Sequence, residues 1–298
     1  FFLILINQAN AIENKILIKI DNEIITTLDI NNEITYLKII NKNLDNFNKK
    51  EAYKIAKDSL IREKIKEIEI SKWIKKPVVE EKYLNPIIKN IYTKLNITSL
   101  NEFEKSLNEK SISLEEIKKK ISIEILWNQL IYSKYSNKLK INKDKIKKEI
   151  LLNKNTKLIE YELSEIVFNI QNNQKFEKKF NNILEDINNI GFNDAALIHS
   201  ISSTSKNQGY LGWIKEASLN KKIKNELNNK EKGEFTNPIV IPGGFIILKI
   251  NNIRKKDKII DIEKEVNLIT KEKTNEQLNQ YSNIYFNTIK KDIKIHEL

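Results

Sequence analysis

The chain carries few side chains suited to covalent or metal chemistry. Its 298 residues include no cysteine and two histidines, His199 and His296. Without thiols, disulfide frameworks, zinc fingers and thiolate nucleophiles are excluded, and two histidines argue against a histidine metal cluster. No metal and no small-molecule cofactor is expected. One stretch can place groups tightly. All 6 glycines fall between Gly191 and Gly244, and two of the 4 prolines, Pro238 and Pro242, fall with them. Glycine marks positions that need a positive φ or a close backbone approach. The window from Gly191 to Ile250 is therefore expected to be a compact, turn-rich module with short strands, inserted in a helical frame.

That frame is a monotone of Ile, Lys, Asn, Leu and Glu. Hydrophobic residues make up 40% and charged residues 31%, enough for a sizeable core in a chain whose length suggests two domains. The net charge of +12 would ordinarily raise nucleic acid as a partner. The lysines, however, alternate with Glu and Asp, and no basic run carries aromatics in a stacking pattern. The charge reads as a solvated surface, and no nucleic-acid partner is expected. Phe1-Phe2-Leu3-Ile4-Leu5-Ile6 followed by Ala9-Asn10-Ala11 reads as the end of a signal peptide with its cleavage site; a frayed apolar terminus or a first strand is the alternative. Residues 1–11 would then be removed and the chain exported to begin near Ile12. No later window approaches the ~20 apolar residues of a spanning helix.

Two short strands, Lys15–Asp21 and Asn22–Ile25, are expected about an Asp-Asn turn. Thr26-x-x-Asp29 approximates a capping box for a helix with Ile30, Ile34 and Leu37 on one face. A long helix is expected over Lys50–Lys75, stopped by Pro77, and a shorter one over Glu80–Leu95, kinked at Pro86. Ser99-x-x-Glu102 and Ser113-x-x-Glu116 open two more, and Asn142 caps a last piece through Leu152. After a polar linker, Asn153–Lys157, the pattern changes. A strand is expected over Ile159–Phe168, helices over Lys175–Asn189, Phe192–His199 and Asn220–Leu227, and a strand over Phe245–Ile250. Helical periodicity returns from Asp261 to Lys291, and Lys290–Ile295 could finish as a strand pairing with Ile16–Ile20, so that the chain ends close one domain.

Several segments then fall into a known order. Leu163-Ser164-Glu165-Ile166-Val167, Phe192-x-x-Ala195-Ala196-x-x-His199-Ser200 and Gly209-x-Leu211-Gly212-Trp213 are followed by Gly233-Glu234-Phe235-Thr236-Asn237-Pro238-Ile239 and Gly243-Gly244-Phe245-Ile246-Ile247-Leu248. This order and spacing resemble the parvulin-type (PpiC-like) peptidyl-prolyl isomerase domain, over roughly Leu158 to Arg254. The surrounding layout, with its Leu60-Ile61-Arg62-Glu63 region, resembles the SurA-type periplasmic chaperones. The resemblance implies an α+β fold. Residues 12–152 would be a helical N-terminal domain, residues 158–254 one inserted parvulin-like module of a small antiparallel sheet flanked by helices, and residues 255–298 a C-terminal helix and strand returning to the first domain.

It also implies a periplasmic folding factor that binds unfolded outer-membrane polypeptides on their way to the barrel-assembly machinery. The family's chemistry is rotation about an X-Pro amide, against an uncatalysed barrier of ~18–20 kcal/mol. Carried over by position, the family's first histidine falls on Glu165, its Cys or Asp on Ser202, and its second histidine on Ile246. The catalytic polar residues are thus not retained, although Glu165 and Ser202 could form a substitute pair. Leu219, Ile223 and Phe245 fall on the positions that contact proline, and His199 and Trp213 on packing positions. The expectation is a client-binding chaperone; the alternative is an active prolyl isomerase of exported proteins.

Overall fold

The computed structural model describes residues 14–74, 77–152, 158–170, 174–256 and 261–298. The apolar run with its Ala-x-Ala site and the linker Asn153–Lys157 lie outside the described residues.

Strands β1 (Ile16–Ile20) and β2 (Glu23–Thr26) form a hairpin. Asp21 turns it with a left-handed φ of 49°, a conformation Asp tolerates because its short polar side chain can bond locally. Thr26 and Asp29 make a full capping box at the start of α1 (Thr27–Ile40). Asn48 and Glu51 do the same for α2 (Lys49–Trp73), and Ser113 and Glu116 for α5 (Leu114–Tyr135). Between them lie α3 (Glu81–Lys94), which contains Pro86, and α4 (Leu100–Asn108), capped by Ser99. The short α6 (Lys143–Leu152) starts where Asn142 accepts from the Lys145 amide. The apolar stripes of these helices meet in one core that includes Ile30, Leu37, Ile65, Phe103, Leu107 and Trp127.

The glycine-rich region is a second unit of structure. Strands β3 (Leu158–Phe168), β4 (Tyr210–Lys215), β5 (Ile239–Ile241) and β6 (Gly244–Lys256) form an antiparallel sheet in the order β4-β3-β6-β5. Strand β6 runs six residues past the expected end at Ile250, because β3 pairs with it along its whole length, from Leu158 opposite Lys256 to Phe168 opposite Phe245. Helices α7 (Phe176–Ile190) and α8 (Phe192–His199) cover one face through Ile183, Ile187, Phe192 and Ala195. Helix α9 (Lys221–Asn228) covers the other through Ile223 and Leu227.

The chain returns through α10 (Ile262–Asp292), 31 residues in one helix and so about 46 Å long. The sequence allows a closing strand at Lys290–Ile295. The helix instead continues to Asp292, and β7 spans Ile295–Glu297. This strand pairs with β1, Ile20 opposite Ile295 and Ile18 opposite Glu297, so both ends of the described chain share one sheet, β2-β1-β7. Aromatic rings hold α10 to α5. Tyr135 stacks on Tyr281 at 4.7 Å and Trp127 on Tyr285 at 5.8 Å. The Trp127 indole N–H donates to Ser282 Oγ at 2.8 Å, which satisfies a donor that the core would otherwise strand.

Candidate functional site

The site forms on the face of the four-stranded sheet that α9 covers. Side chains alternate along a strand, and this parity sets Glu165 beside Leu163 and Val167 on that face. Glu165 is 8% exposed, and one carboxylate oxygen accepts from Ser202 Oγ at 2.6 Å and from Thr204 Oγ1 at 2.8 Å. Burial pushes the Glu165 carboxyl above the usual range, and the two hydroxyl donors partly offset that shift.

Both hydroxyls belong to the segment after α8, which is stitched to β3. Val167 donates its amide to Ser200 Oγ at 3.1 Å, and its carbonyl accepts from the Ile201 amide at 2.7 Å. Ser202 then caps a 3-10 turn, Ser203–Asn207. Gly209, at φ +71°, brings its carbonyl to the Glu165 amide at 2.8 Å. Glu165 is thus enclosed by this segment at both its backbone and its side chain.

Of the other expected site residues, the structure brings some together and separates one. Ile246, opposite Val167, is 7% exposed and packs with Ile223 of α9 and Leu219 of the preceding turn. Ile201 and Leu211, which the sequence did not single out, pack against the same cluster. Phe245 does not join them. It is adjacent to Ile246 on β6 and therefore points through the opposite face, where its ring lies 5.3 Å from Phe168 and 4.9 Å from Phe176. Trp213 packs beneath the Arg254 guanidinium at 3.9 Å.

His199 is 9% exposed; its Nε2 meets Asp186 Oδ2 at 2.6 Å, and Nδ1 faces Lys179 Nζ at 3.4 Å. Burial first, with Lys179 and Lys54 adding to it against the pull of Asp186, pushes the imidazole pKa down to about 4. The ring is neutral near pH 7, so the Asp186 contact is a hydrogen bond from a neutral imidazole and not an ion pair.

One contributor, Thr204, and the role of another, Arg62, are not singled out by the sequence pattern. Thr204 follows Ser202 by two positions in a Ser-rich run, a cue that was available. Arg62, whose guanidinium donates to the Ser202 carbonyl at 2.9 Å, stands in the Leu60–Glu63 stretch of α2, but nothing local points to that distant partner. Helix α2 also forms, with α5, a cleft of about 290 Å³ whose apolar lining includes Ile68, Ile70, Pro77, Ile123 and Leu126. Val78, next to Pro77, is 80% exposed. Among the described residues, no group of three or more His, Asp or Glu stands ready to hold a metal ion, and no helix is long and apolar enough to cross a membrane.

Residues 161–252 match the family described as "Rotamase: PPIC-type PPIASE domain". The chain is 25% identical over 185 residues to the chaperone SurA of Pseudomonas putida, covering 59% of this chain and 43% of that protein. It is 23% identical over 193 residues to the chaperone SurA of Shigella dysenteriae, covering 62% and 45%. The chain thus spans under half the length of these relatives. Among solved structures, a SurA-like chaperone of Campylobacter jejuni is 21% identical, with 96% of this chain and 99% of that one covered at a TM-score of 0.37.

Proposed function

We propose, for this SurA-type chain with its PpiC-type rotamase domain, that it holds unfolded polypeptides and that the rotamase domain serves it as a binding scaffold. The observation that carries this reading is how the polar groups of the Glu165 site are paired. The Ser202 and Thr204 hydroxyls both donate to one carboxylate oxygen, Oε1, and the neighbouring Ile246 adds only an apolar side chain. An amide being rotated needs polar groups aimed at it in its twisted state, and here both hydroxyls are aimed at Glu165. The apolar cluster of Leu219, Ile223 and Ile246 is the seat we assign to peptide contact, approached at the half-buried Leu219 because Ile223 and Ile246 are buried. The α2–α5 cleft, with Val78 at its side, offers a second apolar seat for an extended chain. We assign residues 12–152 and 255–298 to the holding frame and residues 158–254 to the scaffold.

Unfolded outer-membrane polypeptides in the periplasm are the clients we infer, with delivery to the barrel-assembly machinery as the consequence. The test is dilution of a denatured outer-membrane barrel into buffer with and without the protein, followed by light scattering. Suppressed scattering at stoichiometric protein is the expected result; unchanged scattering contradicts the reading. One observation favours a second reading, an active prolyl isomerase. Burial raises the Glu165 carboxyl while both hydroxyls bond its Oε1, which leaves Oε2 as a polar atom beside the apolar cluster to face a bound amide.

A further inference from the structure

The segment that carries both hydroxyls facing Glu165 is held from outside its own sheet. Arg62 lies midway along α2, in the helical frame, and its guanidinium reaches three acceptors between residues 200 and 205. Nη1 donates to the Ser202 carbonyl at 2.9 Å and to Ser205 Oγ at 3.3 Å, and Nη2 donates to the Ser200 carbonyl at 3.2 Å. These acceptors bracket Ser202 and Thr204. A planar guanidinium with donors in a fixed fork can span several acceptors at once, whereas an ammonium acts as a single point charge.

The same helix is also pinned to α5. Glu63 pairs with Lys120 of α5 at 2.9 Å, and Lys66, one turn beyond Arg62, pairs with Glu124 of α5 at 2.6 Å. Asp58 and Glu124 supply negative charge around the Arg62 guanidinium. Further along α2, Ile68 and Ile70 line the apolar cleft. One rigid helix therefore carries the cleft at one end and grips the Ser202 segment nearer its middle.

We propose that Arg62 is a positioning residue through which the helical frame sets the Ser202 and Thr204 hydroxyls on Glu165. Its functional consequence rests on the reading of the Glu165 face as the peptide-facing site; the positioning itself does not. The competing account is that the segment is held by its own sheet, through the bonds of Ser200 and Ile201 to Val167.

Hydrogen exchange on the full chain separates the two. In Arg62→Ala, peptides covering residues 198–209 are expected to exchange at least about tenfold faster, with β3, β6 and α5 unchanged. Arg62→Lys is expected to fall between Arg62→Ala and the parent. Lys66→Met, which removes a neighbouring buried charge that faces Lys206 but hydrogen-bonds Glu124 and none of the segment's acceptors, is expected to leave residues 198–209 protected. Unchanged protection in Arg62→Ala overturns the proposal. So does a uniform rise across α1, α2, α5 and the segment, or an equal rise in Lys66→Met, because either makes Arg62 a generic part of the frame. Client aggregation measured on the same preparations reports on the proposed function and leaves the exchange result standing in either case.

Discussion

A β-carbon on Gly209 would lie 2.1 Å from the carbonyl oxygen of Glu165. No real side chain tolerates that distance, and Gly209 also holds φ at +71°, where L-residues are strained. The glycine is therefore what lets the Ser202 segment close down on β3. Gly209→Ala is expected to destabilise the protein by more than about 3 kcal/mol, read as a shift in the denaturation midpoint. Gly233 has nothing near its absent β-carbon, so Gly233→Ala should cost only its φ strain, about 1–2 kcal/mol. Equal losses in the two variants would contradict the close-approach argument.

Glu165 depends on two donors, and removing either leaves its carboxylate less well satisfied. Ser202→Ala and Thr204→Val are each expected to cost about 1.5–3 kcal/mol at neutral pH and to raise the Glu165 carboxyl further. Because that pKa is already raised by burial, the ionised form works against folding. Stability from this group therefore grows as pH falls through its folded pKa toward the unfolded value, and in the variants the rise should begin at higher pH. Glu165→Gln, which removes the charge and keeps an acceptor, is expected to be near neutral at pH 7. Carboxyl carbon shifts followed by NMR check the direction, and a lowered pKa in either variant contradicts it.

His199 has the opposite sign. Its folded pKa of about 4 lies below the usual 6.5, so its contribution is complete above pH 6.5 and is lost as pH falls from there toward 4. At most about 3 kcal/mol is at stake in that window. His199→Gln, which keeps a donor for Asp186, should flatten the slope of stability against pH between those limits. An unchanged slope would move the effect to other groups.

The exposed apolar surface beside the α2–α5 cleft should matter for clients and not for folding. Val78 is 80% exposed, so Val78→Asp is expected to change stability by less than about 0.5 kcal/mol. The amount of protein needed to suppress client aggregation should nevertheless rise severalfold. Full suppression at the parent concentration would remove the cleft from the account.

Much of this was legible in the sequence, for a physical reason. The boxes at Thr26/Asp29 and Ser113/Glu116 are complete within four residues, so local chemistry announces them. The matching box at Asn48/Glu51 was hidden because asparagine is everywhere in this chain. Strand β4 was not read, since Gly212 breaks its short alternation. Phe245 was grouped with Leu219 and Ile223 because a motif position says nothing about strand parity; pairing with β3 decides that Ile246 faces them. Arg62 meets partners 138 to 143 residues away, a distance at which no local pattern reports. Helix α10 was marked by its aliphatic residues, whereas Tyr281 and Tyr285 make the ring contacts to α5.

The central claim is holding without isomerisation, and one paired measurement bears on it most directly. The protein is assayed for suppression of aggregation of an unfolded outer-membrane barrel. In parallel, a protease-coupled assay follows cis/trans exchange in a short X-Pro peptide. The account predicts suppression together with an exchange rate within about twofold of the uncatalysed one, less than about 0.4 kcal/mol off the barrier. Rapid isomerisation that disappears in Glu165→Gln or Ser202→Ala would contradict it and establish the Glu165 site as catalytic.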